Sequence, residues 1–356
     1  MKVAMTVSEK VSIKEIAAKA NVSIATVSYV LNGTRNVRPK TKERVLRVIE
    51  ELNYQPNDIA KSLKSKKTNT IGVIAEDVTV FNVPEIIDGI NDYADRHDLH
   101  IVLTNLRLHK RVGHHYADVE AYRKYAANAV SDLMAKQVEG IIYVGIHPRD
   151  VTGLIDTRGK PIVYTYCYTQ NDLSIQYNDE QAAYDSVCYL HDKGHRRIAV
   201  ITGLMDSIPS RLRFNGYYKA IMEHELPFEP QLIKVGDWGT ESGLRATKEL
   251  LELEEPPTAV LVMNDVMAAG TLRAAWEKGF RVPEDLSIVG FDNREFSDYL
   301  KPRLTTMDLP LHEMGYSSMK SLMRLVNGET AEPVPMPLCV LLERESVASP
   351  DGAETS

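Results

Sequence analysis

Between Ser23 and Asn32 the run Ile24-Ala25-Thr26-Val27-Ser28-Tyr29-Val30-Leu31 carries the plainest chemical signal in the chain. Helical spacing turns Val27, Val30 and Leu31 to one face and leaves Ile24, Ala25, Ser28, Tyr29 and Asn32 on the other. That outward face offers no strong acid, base or nucleophile. It suits a DNA groove: Ile24 and Ala25 can touch thymine methyls, Tyr29 offers a hydroxyl, and Thr26, Ser28 and Asn32 can bond to base edges or phosphates. Neither Ile24 nor Ala25 can make the paired hydrogen bonds of an Arg or Asn. Direct readout is therefore expected to be modest, with nearby Lys and Arg fixing register on the phosphates.

Other clusters of reactive side chains point to structure. His109, Lys110, Arg111, His114 and His115 lie between Asn105 and Val138. A metal site or a sensor of near-neutral pH is conceivable there. No Cys or carboxylate spacing supports a metal, and a solvated loop before a helix over 116–137 is the expectation. His191 and His195 are four apart with Gly194 between them, the mark of a helix C-terminus. Cys167, Cys188 and Cys339 are odd in number and form no C-x-x-C pair, which predicts three structural thiols in a reducing compartment. The chain has no G-x-x-x-x-G-K-[ST], no G-x-G-x-x-G opening a helix, no G-x-S-x-G and no H-E-x-x-H. Neither an enzyme nor a bound cofactor or metal is expected.

The elements that must hold these residues follow two periodicities. Residues 12–53 read as three short helices. Ser12 and Glu15 form a capping box ahead of Ile13, Ile16, Ala17 and Ala20; Ser23 caps the second helix, which stops at Asn32-Gly33; Pro39 suits the first turn of the third, with Val45, Leu46, Ile49 and Leu52 as its buried stripe. This is the helix-turn-helix pattern, whose second helix enters the major groove. A short helical candidate, Asp58 to Leu63, and a polar linker, Lys64 to Asn69, follow. From Thr70 the apolar runs 71–75, 101–103, 141–144, 162–164, 198–201, 260–263 and 288–291 alternate with helical segments, the pattern of parallel sheets covered on both faces. Roughly 280 residues with some ten strand candidates are more than one doubly wound sheet usually needs and predict two αβ lobes with a cleft between them.

Composition agrees with this division. The 356 residues carry 42 Lys and Arg against 49 Asp and Glu, a net charge of −7. Residues 1–70 hold +8, with 14 basic and 6 acidic side chains, and the remainder holds −15. A basic head on an acidic body points to a head that meets a polyanion. Hydrophobic residues at 44% and charged residues at 26% exclude a disordered or collagenous chain. No apolar stretch of about 18 residues and no signal-peptide core near Met1 are present, so a cytoplasmic protein without membrane attachment is expected.

Ile-Lys-Glu-Ile-Ala at 13–17, Ala-Thr-Val-Ser at 25–28, Val30-Leu31-Asn32 and Ala60-Lys61-Ser62-Leu63 closely resemble the headpiece and hinge of the lactose-repressor (LacI/GalR) family of transcription factors. Arg211-Leu212-Arg213-Phe214-Asn215-Gly216, Gly236-Asp237-Trp238, Asn264-Asp265-Val266-Met267-Ala268 and Val289-Gly290-Phe291-Asp292 follow in that family's order and spacing. The resemblance runs from residue 11 to about 346. It implies an all-α helix-turn-helix headpiece over 11–56 and a hinge helix with linker over 57–69. A periplasmic-binding-protein-like α/β core of two doubly wound lobes over 70–346 would bind effector and dimerise, ahead of a polar tail over 347–356. It further implies a homodimer on a palindromic double-stranded operator, a small-molecule effector of carbohydrate type, and effector closure that rotates the first lobes and disorders the hinge helices. Leucine heptads are absent after Arg344, so a tail-mediated tetramer is not expected.

The same resemblance assigns residues. Ile24, Ala25 and Tyr29 match base-reading positions. Leu63 matches a side chain that wedges into a minor-groove step and bends the DNA, and Lys61 stands where the family often has Arg. Arg213, which by sequence alone is a solvated charge starting a helix over 213–225, would grip effector hydroxyls. Asp292, ending the strand 287–291, would accept from a hydroxyl or else cap a loop. Asn264 either caps the next helix or joins the pocket; Trp238 either packs in the core or stacks on a sugar face. Phe81 and Tyr166 fall at first-lobe positions where members vary most, and Leu309 replaces a polar residue of the lactose repressor's kind. Such a set suits a neutral polyol better than an anion. The segment between Asn105 and Val138 is longer than the family's usual. The reading is a carbohydrate-responsive repressor; the alternative is a regulator of the same type controlled by a protein partner or a nucleoside corepressor. A sugar-transport protein would have no use for the basic head.

Overall fold

Ser12 opens the first helix as its sequence demands. Its hydroxyl accepts the Glu15 N–H (3.4 Å) while its own N–H donates to the Glu15 carboxylate (2.7 Å), satisfying donors that helix geometry leaves orphaned at the start of α1 (Ile13–Lys19). The Ser23 hydroxyl accepts the Thr26 N–H (3.1 Å) at the start of α2 (Ile24–Asn32), and Pro39 begins α3 (Pro39–Glu51). Ile16, Ala20, Val27 and Val45 are fully buried, with Val48, Ile49 and Leu52 around them. Leu46, expected in the buried stripe, is instead 46% exposed. The inward face of α3 follows 45, 48, 49 and 52, and position 46 falls about 100° off it. The computed structural model describes residues 11–32, 35–54, 68–112, 119–330 and 334–350, without the side chain of Asn32. The chain divides into two units, Met1–Thr68 and Asn69–Ser356.

Within the second unit, β1 (Thr70–Ala75), β2 (His100–Asn105), β3 (Gly140–Val144), β4 (Ile162–Thr165) and β5 (Leu173–Ile175) form a parallel sheet in the order β2-β1-β3-β4-β5. A second sheet holds β6 (Ile198–Thr202), β7 (Ile233–Val235), β8 (Ala259–Val262), β9 (Ser287–Phe291), β10 (Thr305–Asp308) and β11 (Val340–Leu342), in the order β11-β10-β9-β8-β6-β7. Only its edge pair β10–β11 is antiparallel. Every residue of β3, β4, β6, β8 and β9 is buried, which explains why these strands read as unbroken apolar runs. The expected two doubly wound lobes are present.

Helices α4 (Asn82–Arg96), α5 (Leu108–Val112) and α6 (Glu120–Ala135) belong to the first lobe, and α7 (Asp179–Asp192), α8 (Ile208–Glu223), α9 (Thr240–Leu251) and α10 (Asp265–Glu277) to the second. The last helix, α11 (Leu311–Val326), returns to the first lobe and packs on α4, β3, β4 and β5. The chain thus passes between lobes after β5, after β10 and again between α11 and β11. The α4–α11 crossing is close enough that a Cβ on Gly89 would lie 1.9 Å from the His312 carbonyl oxygen, and one on Gly315 1.9 Å from that of Ile86.

Three expectations are corrected. Helix 213–225 begins earlier, at Ile208, because Ser207 caps it and Pro209 lies in its first turn, so Arg213 faces inward in the second turn instead of opening the helix. The segment before Val138 holds two helices, α5 and α6, rather than one over 116–137; His114 and His115 lie outside the described residues. The core also extends past residue 346: the His195 Nε2 and the Ser287 hydroxyl meet the Ala348 carbonyl at 2.9 and 3.1 Å. α7 ends before Gly194 (φ 102°), as the His191–Gly194–His195 spacing indicated.

Candidate functional site

The outward face of α2 is the first candidate. Val27 is fully buried and Val30 and Leu31 pack beside it, while Ile24 is 46% exposed and Ala25 is exposed. The Thr26 hydroxyl lies 2.9 Å from that of Ser23. Tyr29 is half-buried, and the Arg35 guanidinium sits 5.2 Å from its ring centre. Asn32 closes the helix; its side chain, Lys61 and Leu63 lie outside the described residues.

The second candidate lies at the carboxyl ends of the strands. Tyr166 follows β4, Trp238 lies shortly after β7, Asn264 after β8, and Asp292 directly after β9. Three of these are non-glycine residues in the left-handed region, Tyr166 at φ 59°, Trp238 at 72° and Asp292 at 106°. Such strained backbone is held only where surrounding contacts fix it, and it gathers at functional sites.

Arg213 is 3% exposed. Its Nε donates to the Asp179 carboxylate (2.7 Å), Nη2 donates to the Tyr177 hydroxyl (3.1 Å), and Nη1 donates to the Met263 carbonyl. The guanidinium also lies 3.7 Å from the Phe291 ring centre and 5.9 Å from that of Trp238. Burial acts against its charge, but Asp179 and its neighbours outweigh that and push its pKa above the ordinary arginine value. Tyr177 joins Tyr166 hydroxyl to hydroxyl at 3.0 Å, so Arg213 of the second lobe connects through Tyr177 to the first. The sequence reading missed Asp179 and Tyr177; Asn178-Asp179-Glu180 looks like an ordinary helix start, and Asn178 does cap α7.

Asp292 stands with Oδ1 3.5 Å from Arg213 Nη1, and that oxygen has no hydrogen-bond partner among the described residues. Burial pushes its carboxyl up to about 8, against the lowering pull of Arg213. Asn264 proves to be a cap: its Oδ1 accepts the Met267 N–H (2.8 Å), and its Nδ2 donates to the Trp238 carbonyl (3.1 Å). It thereby anchors the Trp238 loop. The Trp238 ring occupies the place a side chain on Gly203 would take, with a Cβ there 2.1 Å from the ring. Phe81 precedes α4 and is half-buried, whereas Leu309 is 2% exposed within the core.

Two further features stand apart. Glu76, past β1, is fully buried and accepts from Arg149 and Tyr143 at 2.6 Å each and from the Ile146 N–H at 2.9 Å. A cavity of about 450 Å³ opens between Tyr168 and the α8 residues Ile208, Arg211 and Asn215, and shares no residue with the Arg213 cluster. The convergence of Arg213, Asp292 and Trp238 is the better candidate, because it gathers loops at the carboxyl ends of three elements around a buried carboxylate oxygen, Asp292 Oδ1, that lacks a partner; at the Glu76 cluster the unpartnered buried atoms are Arg149 Nε and Nη1. The three cysteines are free. No group of three or more metal-ligating side chains is arranged for a metal among the described residues, where no helix is long and apolar enough to cross a membrane.

A helix-turn-helix unit joined to two parallel-sheet lobes that meet at buried charges defines a class: DNA-binding regulators carrying a binding-protein-like sensor. Residues 12–57 match the model of bacterial regulatory proteins of the lacI family, and residues 187–347 match the periplasmic binding protein-like domain. Catabolite control protein A of Priestia megaterium is 36% identical over 326 residues, covering 90% of this chain and 94% of that protein. The ribose operon repressor of Haemophilus influenzae is 32% identical over 346 residues, covering 95% and 99%. The solved lac repressor dimer bound to operator and the anti-inducer ONPF superposes with a TM-score of 0.78 at 30% identity, covering 96% of this chain and 100% of that one. The chain belongs to the lacI family of bacterial regulatory proteins and is a DNA-binding transcription regulator.

Proposed function

We propose that this regulator is a cytoplasmic, non-catalytic homodimeric repressor of carbohydrate-use genes, whose affinity for a palindromic operator is set by closure of the two lobes on a small hydroxyl-rich effector. The observation that carries the reading is the buried, unpartnered Oδ1 of Asp292 beside Arg213. A guanidinium has five N–H groups. Three of those on Arg213 go to Asp179, Met263 and Tyr177, which leaves one on each terminal nitrogen. A pair of adjacent hydroxyls accepts from these and donates to Asp292 at once, with Trp238 flanking the ring face. Phe81 and Tyr166 bound the ligand from the first lobe, and Asn264 holds the Trp238 loop.

In the headpiece, Ile24, Ala25 and Tyr29 read bases, while Thr26, Ser28, Asn32 and Lys61 fix register and Leu63 wedges the central step. Effector closure moves the first lobes and thereby the segment that leads to the hinge. A coupling of about 1–3 kcal/mol per effector suffices to shift operator occupancy. The test is calorimetric titration of the full chain with pentoses, hexoses and disaccharides, paired with operator binding by fluorescence anisotropy. A sugar that binds the wild type, fails to bind Arg213→Ala and alters operator affinity supports the reading. If none binds, the sugar-effector reading falls.

A further inference from the structure

The rim of the same cleft carries an arginine to which the sequence motifs assign no role. Arg294 lies just past β9 in the second lobe, and its guanidinium carbon is 4.7 Å from the ring centre of Phe81, past β1 in the first lobe. Phe296 flanks it at 5.8 Å. Both positions lie at carboxyl ends of strands, where ligands of α/β folds bind. The loop that carries Arg294 is pinned. Asp265 Oδ2 accepts the Arg294 N–H (2.8 Å) and the Ser297 hydroxyl (2.6 Å), while Asn293 donates to Asp308 (2.8 Å) and accepts from Arg344 (2.7 Å). Aromatic faces position a guanidinium without engaging its N–H groups. Among the described residues the side chain of Arg294 meets no carboxylate or carbonyl, in contrast to Arg213 on Asp179 and Arg149 on Glu76. A partly exposed guanidinium held at a cleft with its donors unused by the protein is free to pair with an anionic group of a ligand.

We propose that Arg294 is the anion subsite of the effector cleft: the effector carries a phosphate or carboxylate that meets Arg294 and hydroxyls that meet Arg213 and Asp292, as in a sugar phosphate or sugar acid. This rests on the effector reading above and replaces the neutral polyol expected from sequence.

The experiment is calorimetric titration of the full chain and of Arg294→Gln with glucose, glucose 6-phosphate and gluconate, fructose and fructose 1-phosphate, and ribose and ribose 5-phosphate. The expected result is an acidic member that binds the wild type on the order of tenfold or more tightly than its neutral parent, a preference lost in Arg294→Gln. Phosphates and carboxylates in the panel separate the two sources of charge. Neutral sugars that bind as tightly as every acidic counterpart, and are lost in Arg213→Ala, overturn the subsite while leaving the effector reading intact. Equal weakening of neutral and acidic ligands by Arg294→Gln makes the residue a latch between lobes and also overturns it. Absence of binding by any member removes the effector reading and this inference together.

Discussion

Asp292 combines a left-handed backbone, a buried carboxyl and an unpartnered oxygen at one position. Its pKa, pushed up to about 8 by burial from an ordinary value of 3.8, means that the folded chain keeps a proton the unfolded chain has lost. The native state therefore binds more protons between those values, and the contribution of this residue to stability falls as pH rises from 3.8 through about 8, then levels off. Asp292→Asn should remove that component, which denaturant midpoints of both proteins from pH 5 to 9 will reveal as a difference that grows with pH and flattens above 8. Effector affinity runs the other way. An ionised carboxylate is the better hydroxyl acceptor, so affinity in the wild type should climb through the same window. A pH-independent affinity would remove Asp292 from the contact.

At the scale of elements, the glycine crossings set how closely the layers approach. Replacing Gly89 with Ala gains up to about 1 kcal/mol of intrinsic helix preference, yet its methyl would fall 1.9 Å from the His312 carbonyl oxygen. Parting α4 from α11 to admit it should leave the variant less stable by about 1–3 kcal/mol. Thermal or denaturant unfolding reads this directly, and a Gly89→Ala protein as stable as the wild type would contradict so tight a crossing. Much of this scaffold was legible beforehand. Fully buried parallel strands write themselves as apolar runs, and Ser12-Glu15 and Ser23 announce their helices by caps. The start of α8 is harder to read, because Arg213 resembles a boundary charge while the true start signals, Ser207 and Pro209, stand upstream. Asn264 was legible only as two alternatives, since a cap and a ligand contact use the same amide. Arg294 left no trace in periodicity or motif, because what gives it meaning is Phe81 from the other lobe, and spacing along a chain says nothing about neighbours brought together by crossovers.

At the scale of the whole molecule, charge separates the two functions: +8 on residues 1–70 and −15 on the remainder. An acidic sensor has little affinity for the polyanion its headpiece binds. Operator affinity should fall on the order of a thousandfold between 50 and 200 mM salt if several phosphates are contacted. A flat salt response of operator binding, measured by anisotropy, would contradict a phosphate-dominated headpiece. The path of the chain adds a constraint of timing. The first lobe lacks α11 until Val326 is made, and the second lacks β11 and the Ala348 anchor until residue 348 is made. Synthesis proceeds from the N-terminus, and domains fold as units when complete. The DNA-reading helices therefore leave the ribosome long before either half of the sensor can close, and a nascent or prematurely ended chain presents a basic headpiece with nothing yet able to govern it.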